Sequence, residues 1–353
     1  MSELPVLPQV KAYNEWDPLE EVIVGTALHA RLPYHDGGMN RLEPPTRSVL
    51  PSIEDRRYPE WIIKETEEDI DKFIRVLDDL KITVRRPGDP INYDGLLKTP
   101  FWDTDYYFQY PPRDIMLVVG DLIIESPCPF RSRQYETLAY RDLLIDYLKQ
   151  GARWISAPKP ALKDELYTID EEGEPALTEI EPVFDAANVL RAGRDLIYLL
   201  SCSGNALGAK WLQQAVGPDY QVHVCRDLYR GTHIDTTLAL LRPGLALANP
   251  ERVNQDNLPL PLKDWQIIYT PEMNEPKYSS YDGISSKWIG MNLLMLTPDL
   301  AVVDADQPAL IQLLKQQKIE SIPLRLRHGK LLAGGFHCIT VDVRRRGALE
   351  SYR

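Results

Sequence analysis

Cys338, His233 and Asp185 are the residue types of a nucleophile, its base and the group that orients the base. The cysteine closes the run Gly334-Gly335-Phe336-His337-Cys338, in which two glycines let the backbone approach a ligand closely. No partner cysteine explains the thiol that follows them. His233 lies in Thr232-His233-Ile234-Asp235, beside a carboxylate, and Asp185 lies in Phe184-Asp185-Ala186-Ala187-Asn188. In such a set the cysteine attacks as a thiolate, the histidine moves a proton, and the aspartate fixes the imidazole tautomer. Asp114 and Asp235 add two further carboxylates. Negative charge around a thiol suits a cationic, planar substrate, above all a guanidinium held by paired hydrogen bonds. Plainer roles stay open for each: a cysteine in an apolar run is commonly a small buried hydrophobe, and a lone aspartate or histidine commonly satisfies a turn. His337 is expected to be structural, because successive side chains of a strand point to opposite faces.

The place of these residues in a repeat separates them from scattered polar groups. Residues 115–119 and 122–124 flank a Gly120-Asp121 turn and read as a hairpin. The pattern returns at 189–191 with 196–200, at 237–241 with 245–248, and at 293–296 with 300–303. A last strand at 339–343 finds its natural partner at 21–25, at the other end of the chain. An amphipathic helix is expected over 58–80, with Ile62, Thr66, Ile70, Phe73, Leu77 and Leu80 on one face. Others are expected at 131–150, 204–216 and 307–318, with only a short helical stretch near 257–264, and a strand follows each. The expectation is therefore an α/β protein, a single domain over 1–353, built of five ββαβ units in a ring closed by the N- and C-terminal strands. A generic α/β domain with fortuitous alternation is the competing reading. In the ring, Asp114, Asp185, His233 with Asp235, Asn292 and Cys338 all stand where hairpins begin and converge on one pocket. The stretches 31–57 and 169–180 are the most loop-like.

Composition bounds the function classes. The formal charge of −12 opposes an anionic partner such as nucleic acid or a lipid surface. No apolar run approaches membrane-spanning length. The N-terminal residues show neither the basic flank nor the apolar core of a signal peptide. Four scattered cysteines make no disulfide framework, so a cytoplasmic protein is expected. His233-x-Asp235 and His337-Cys338 are not a recognised metal spacing, and no phosphate-cradling glycine motif is present. No metal and no cofactor is expected, since a guanidinium carbon is already electrophilic and its leaving amine needs only a proton.

Several long stretches resemble the amidinotransferases of the guanidine-modifying, or pentein, superfamily, over nearly the full length. They are the run from Asn14 to Gly25, Pro112-Arg113-Asp114, Phe184-Asp185-Ala186-Ala187, His233-Ile234-Asp235, the glycine–cysteine run and Asp342-Val343-Arg344-Arg345. The resemblance implies a five-bladed propeller of ββαβ modules, arginine as amidino donor, a covalent amidino intermediate on Cys338, ornithine as first product, and His233 serving both half-reactions. It implies Asp185 as the histidine's partner, Asp114 and Asp235 as holders of the guanidinium, Arg252 as the contact for the donor's carboxylate, and Ser286 as a lining residue. Thr232 stands where the glycine-using enzymes carry methionine, and matches the inosamine-phosphate branch. A shorter side chain beside the base admits an acceptor bulkier than glycine, such as an aminocyclitol phosphate or another natural-product amine. Glycine transfer and a deiminase-type hydrolysis remain alternatives. The small-molecule partners would be arginine and an amine. Related enzymes are often dimers, so a homodimer is the expectation. Residues 31–57 depart from both branches, as an acceptor-facing lid or a plain surface loop.

Overall fold

The computed structural model describes residues 10–33, 36–42, 57–88, 90–275 and 285–353. Of the loop-like stretch 31–57, residues 34–35 and 43–56 lie outside the described residues. Five three-stranded sheets carry the mixed α/β architecture, and each has the same internal order. Met116–Val119 pairs antiparallel with Leu122–Glu125, which pairs parallel with Arg153–Ser156. Val189–Ala192, Asp195–Leu199 and Gln221–Cys225 repeat this, as do Leu238–Arg242, Leu245–Ala248 and Gln266–Tyr269. Leu294–Thr297, Leu300–Asp304 and Glu320–Leu324 form a fourth copy. The remaining sheet takes its strands from both ends of the chain: Thr340–Arg345 lies antiparallel to Leu19–Val24, which runs parallel to Thr83–Arg85.

Sterics and periodicity account for the shared order. The hairpin turns at Gly120, Gly193 and Gly244 have φ of 60°, 68° and 78°, a region open to glycine and strained for most other residues. The third strand must return parallel, which requires a crossover long enough to span the sheet. Helices Glu60–Asp79, Arg141–Lys149, Ala206–Val216 and Pro308–Gln316 provide it in four units. In the fifth, the expected helical stretch shrinks to a 3-10 turn at Leu260–Leu262. The helix expected over 131–150 is likewise two 3-10 turns, Arg131–Arg133 and Glu136–Tyr140, before its α-helical part begins at Arg141.

Apolar periodicity located the buried faces. Glu60–Asp79 buries Ile62, Thr66, Ile70, Phe73 and Leu77. Leu80, expected on that face, is 42% exposed because the helix has ended by then. Asp69 takes a buried place on the same face and bonds Arg327, which the apolar pattern could not reveal. The loop-like stretch 169–180 contains the strand Pro175–Leu177, paired with Tyr167–Ile169. Its turn is held by Asp170, whose Oδ1 accepts from the amides of Glu172 and Glu174, at 3.0 and 2.8 Å. Its strands are only three residues each, too short for alternation to mark, and the acidic residues fill the turn between them.

Candidate active site

Cys338 does not sit in a strand. It occupies a helical turn just ahead of Thr340–Arg345, in which the amide of Ile339 donates to the carbonyl of Gly335 at 3.1 Å. Asn292 holds this turn at three points. Its Oδ1 accepts from the amides of His337 and Cys338, both at 3.0 Å, and its Nδ2 donates to Cys338 Sγ at 3.2 Å. Gly335 makes the approach feasible, because a Cβ there would lie 2.7 Å from Asn292. From the far side, Phe336 packs edge-to-face on Phe73 of the helix Glu60–Asp79, with ring centroids 5.4 Å apart.

The thiol donates to Asp235 Oδ2 at 3.1 Å. Burial pushes the Cys338 thiol well above its ordinary range, and the nearby charges of Asp235 and Asp114 push it further. Asp235 behaves in the opposite sense. Burial alone would raise its carboxyl, but the hydrogen bond and charge of His337, together with His233, bring it well below the usual carboxylate range. The thiol is thus neutral and its neighbour ionised.

His233 has φ of 65°, a left-handed conformation unusual for a side chain of its size, in the loop before Leu238–Arg242. Its Nε2 faces Asp185 Oδ2 at 2.9 Å and its Nδ1 faces Asp114 Oδ1 at 3.6 Å. Burial alone would lower the imidazolium pKa; Asp114, then Asp185 and Asp235, outweigh burial and lift it to about 10. Arg133 fixes Asp114 through Nη1 to Oδ2 at 2.6 Å and also bonds Glu136. Burial pushes the Asp114 carboxyl up despite His233 and Arg133. His233 and Cys338 therefore share two carboxylates, Asp114 and Asp235, each of which acts on both. Asp114 Oδ1, Asp185 Oδ1 and Asp235 Oδ1 are buried with no hydrogen-bond partner among the described residues.

Arg252 Nη1 donates to the carbonyl and hydroxyl of Thr236 and the hydroxyl of Thr237, at 3.0–3.1 Å, directly after Asp235 in the chain. Its guanidinium lies 3.6 Å from the centre of the Tyr229 ring. Thr232 is half-buried beside His233, and Ser286 is exposed, opening the short turn Lys287–Met291 that ends at Asn292. Nothing in the described residues brings Arg252 or Ser286 into hydrogen-bonding distance of Cys338. His337 departs from expectation. It belongs to the turn rather than to a strand, so alternation does not apply, and its Nδ1 lies 3.0 Å from the Asp235 oxygen that accepts the Cys338 thiol. Arg133 and Asn292's threefold hold on the turn were also illegible beforehand. Among the described residues, no cluster of histidine, cysteine and carboxylate groups has the geometry to hold a metal ion.

No protein-family model matches the chain. It is 50% identical over 345 residues to inosamine-phosphate amidinotransferase 1 of Streptomyces glaucescens, covering 98% of this chain and 99% of that protein. Mitochondrial glycine amidinotransferase of Gallus gallus is 38% identical over 360 residues, covering 97% of this chain and 84% of the other. The solved structure of inosamine-phosphate amidinotransferase from Streptomyces griseus matches with a TM-score of 0.92 at 52% identity, over 97% of this chain and 99% of that one.

Proposed function

The chain belongs to the amidinotransferases, a family of transferases, and from that membership we propose that it moves the amidino group of L-arginine to a primary amine bulkier than glycine, through a covalent intermediate on Cys338. The observation that carries this reading is two buried carboxylate oxygens without a hydrogen-bond partner among the described residues: Asp114 Oδ1, which meets His233 Nδ1 only at 3.6 Å, and Asp235 Oδ1, whose sister oxygen accepts the Cys338 thiol. Buried carboxylate oxygens left unpaired are costly, and a guanidinium supplies the donors they lack.

The steps follow from the protonation states. The free thiol is neutral; the positive charge of an incoming guanidinium offsets Asp114 and Asp235, and the thiol proton is released to solvent. Sγ then forms a bond to the guanidinium carbon while the bond from that carbon to the ornithine nitrogen breaks. Cationic His233 gives its proton to the departing nitrogen, and the free amine later takes a second proton from water, which balances the one lost from the thiol. The now neutral His233 accepts a proton from the acceptor's ammonium group. The acceptor nitrogen bonds to the amidino carbon, the C–S bond breaks, and the acceptor's second proton returns to the sulfur. Arg252, held against Tyr229 and Thr236, is the proposed contact for the donor's carboxylate, and Ser286 a proposed lining residue.

The acceptor rests on Thr232 and on the comparisons. Threonine leaves more room beside the base than methionine, and the inosamine-phosphate enzyme is 50% identical where the glycine enzyme is 38%. We also propose that the five sheets close into a propeller of one domain with the site at its hub, and that the protein is cytoplasmic. Mass spectrometry of the peptide bearing Cys338, after quenching with arginine alone, tests the central step. An amidino adduct with one equivalent of ornithine is expected. Citrulline and ammonia as products would replace transfer with hydrolysis, and an unmodified Cys338 would end the proposal. Thr232→Met is expected to lower turnover with an aminocyclitol phosphate on the order of tenfold, leaving ornithine formation in the first half-reaction unchanged.

A further inference from the structure

We propose that His337 is a positioning residue for the donor site: its ring, bridging Asp235 and Glu15, aims the Asp235 carboxylate at the guanidinium. This rests on the function proposed above and assigns a role to a residue outside the nucleophile, its base and the base's partner.

The geometry gives His337 no other plain reading. Its Nδ1 lies 3.0 Å from Asp235 Oδ2, and its Nε2 lies 3.4 Å from Glu15 Oε2. Both facing groups are carboxylate oxygens, which accept and cannot donate when ionised. Glu15 is ionised: burial would raise its carboxyl, but Arg191, His337 and Arg113 hold it well below the usual range. Nδ1 therefore donates to Asp235, and Nε2 is turned toward the Glu15 carboxylate. The backbone of the same residue is equally committed. Its carbonyl accepts from Arg113 Nε at 2.7 Å and its amide donates to Asn292. The residue is 8% exposed, and its ring faces a wall of Leu190, Leu238, Leu240, Leu293 and Met295, where little water competes for its hydrogen bonds.

The consequence for the donor is specific. Oδ2 of Asp235 is taken by His337 and by the Cys338 thiol, so rotation of the carboxylate is fixed and Oδ1 is left for the substrate. The charged or titratable groups facing Asp235 are His337, His233 and the Cys338 thiol; those facing His337 are Asp235, Glu15 and Arg113. Removing His337 leaves Asp235 buried with a weaker set of partners, and its carboxyl rises. A rise in that pKa weakens donor binding from the acid side.

The experiment compares wild type with His337→Asn, whose side-chain amide can replace the Nδ1 donor but not the bridge to Glu15, and with His337→Ala. The readouts are KM and kcat for arginine across pH. Expected for His337→Asn is an arginine KM raised on the order of tenfold to a hundredfold, with the acid limb of kcat/KM moved up by about one to three pH units. His337→Ala should lose more than His337→Asn. A merely structural role would lower the active fraction, hence kcat, and leave KM and the acid limb in place; that result overturns the inference. For the case in which neither variant folds, nitrogen NMR of ring-labelled histidine in the wild type reads which ring nitrogen carries a proton. A protonated Nδ1 hydrogen-bonded to Asp235 is expected for His337, and a bare Nδ1 overturns the inference. Wild type forming no Cys338 adduct with arginine would instead remove the proposed function itself. An adduct in wild type together with an unaltered His337→Asn would remove only the role of His337.

Discussion

A half-buried imidazole flanked by carboxylates stays charged at pH values where a free one would be neutral, and His233 is so placed. Its pKa of about 10 assigns it the acid role first, because only the cation can protonate a departing amine. The donor half-reaction should therefore hold from neutral pH and fall as pH rises through about 10. A rapid-quench pH profile of ornithine release checks this, and a fall centred near pH 7 would contradict it. The same shift carries a stability consequence. A folded pKa above the unfolded value of about 6.5 means a contribution fully present below that pH and lost as pH climbs toward the folded value. The stability gap between wild type and His233→Gln should thus narrow between neutral pH and pH 10, as read by urea unfolding.

At the scale of elements, the site depends on turns and caps more than on strand centres. Asn205 caps Ala206–Val216 by accepting from the amide of Gly208 at 2.8 Å, and also accepts from Val183 at 3.2 Å. Its Nδ2 donates to the carbonyls of Thr178 and Glu181, both at 2.8 Å. One side chain thereby ties the helix to the strand-free run that leads into Asp185. Asn205→Ala should cost about 2 kcal/mol, the upper end of the range for a cap, because it also strands buried backbone groups. Chemical denaturation measures it, and a loss below about 0.5 kcal/mol would show that the cap matters little. The loop before the nucleophile is tied down in a comparable way, with Arg327 bonding Asp69 Oδ2 through both its amide and Nε at 2.9 Å.

Over the whole molecule, a buried lattice of charge joins distant segments. Arg191 bonds Glu15 through Nε and Nη2, both at 2.8 Å, and Asp342 at 2.6 Å. Asp342 also bonds Arg113 and Arg345, each at 2.8 Å. Leu19–Val24 pairs with the strand that carries Asp342, so the two ends of the chain are joined by backbone and by charge at one place. Removing one member leaves uncompensated charge in the interior. Arg191→Leu should lose roughly 3–5 kcal/mol, whereas replacing the lattice wholesale with apolar residues need not. Calorimetric unfolding of the variant tests this, and a wild-type melting temperature would show that the lattice is not energetically coupled.

The repeat of hairpin, crossover and parallel strand was legible in the sequence because side-chain period and turn glycines are local properties of the chain. So were the residue types of Cys338, His233, Asp185 and the carboxylates, which stood at recurring positions. The turn that carries Cys338, the grip of Asn292 on it, Arg133 against Asp114, and His337 against Asp235 were decided only in three dimensions. A hydrogen bond between residues 45 or 102 positions apart leaves no periodicity to detect. The charge states were settled there too: burial outweighs His233 and Arg133 at Asp114 and pushes its carboxyl up, whereas His337 and His233 outweigh burial at Asp235 and bring its carboxyl down.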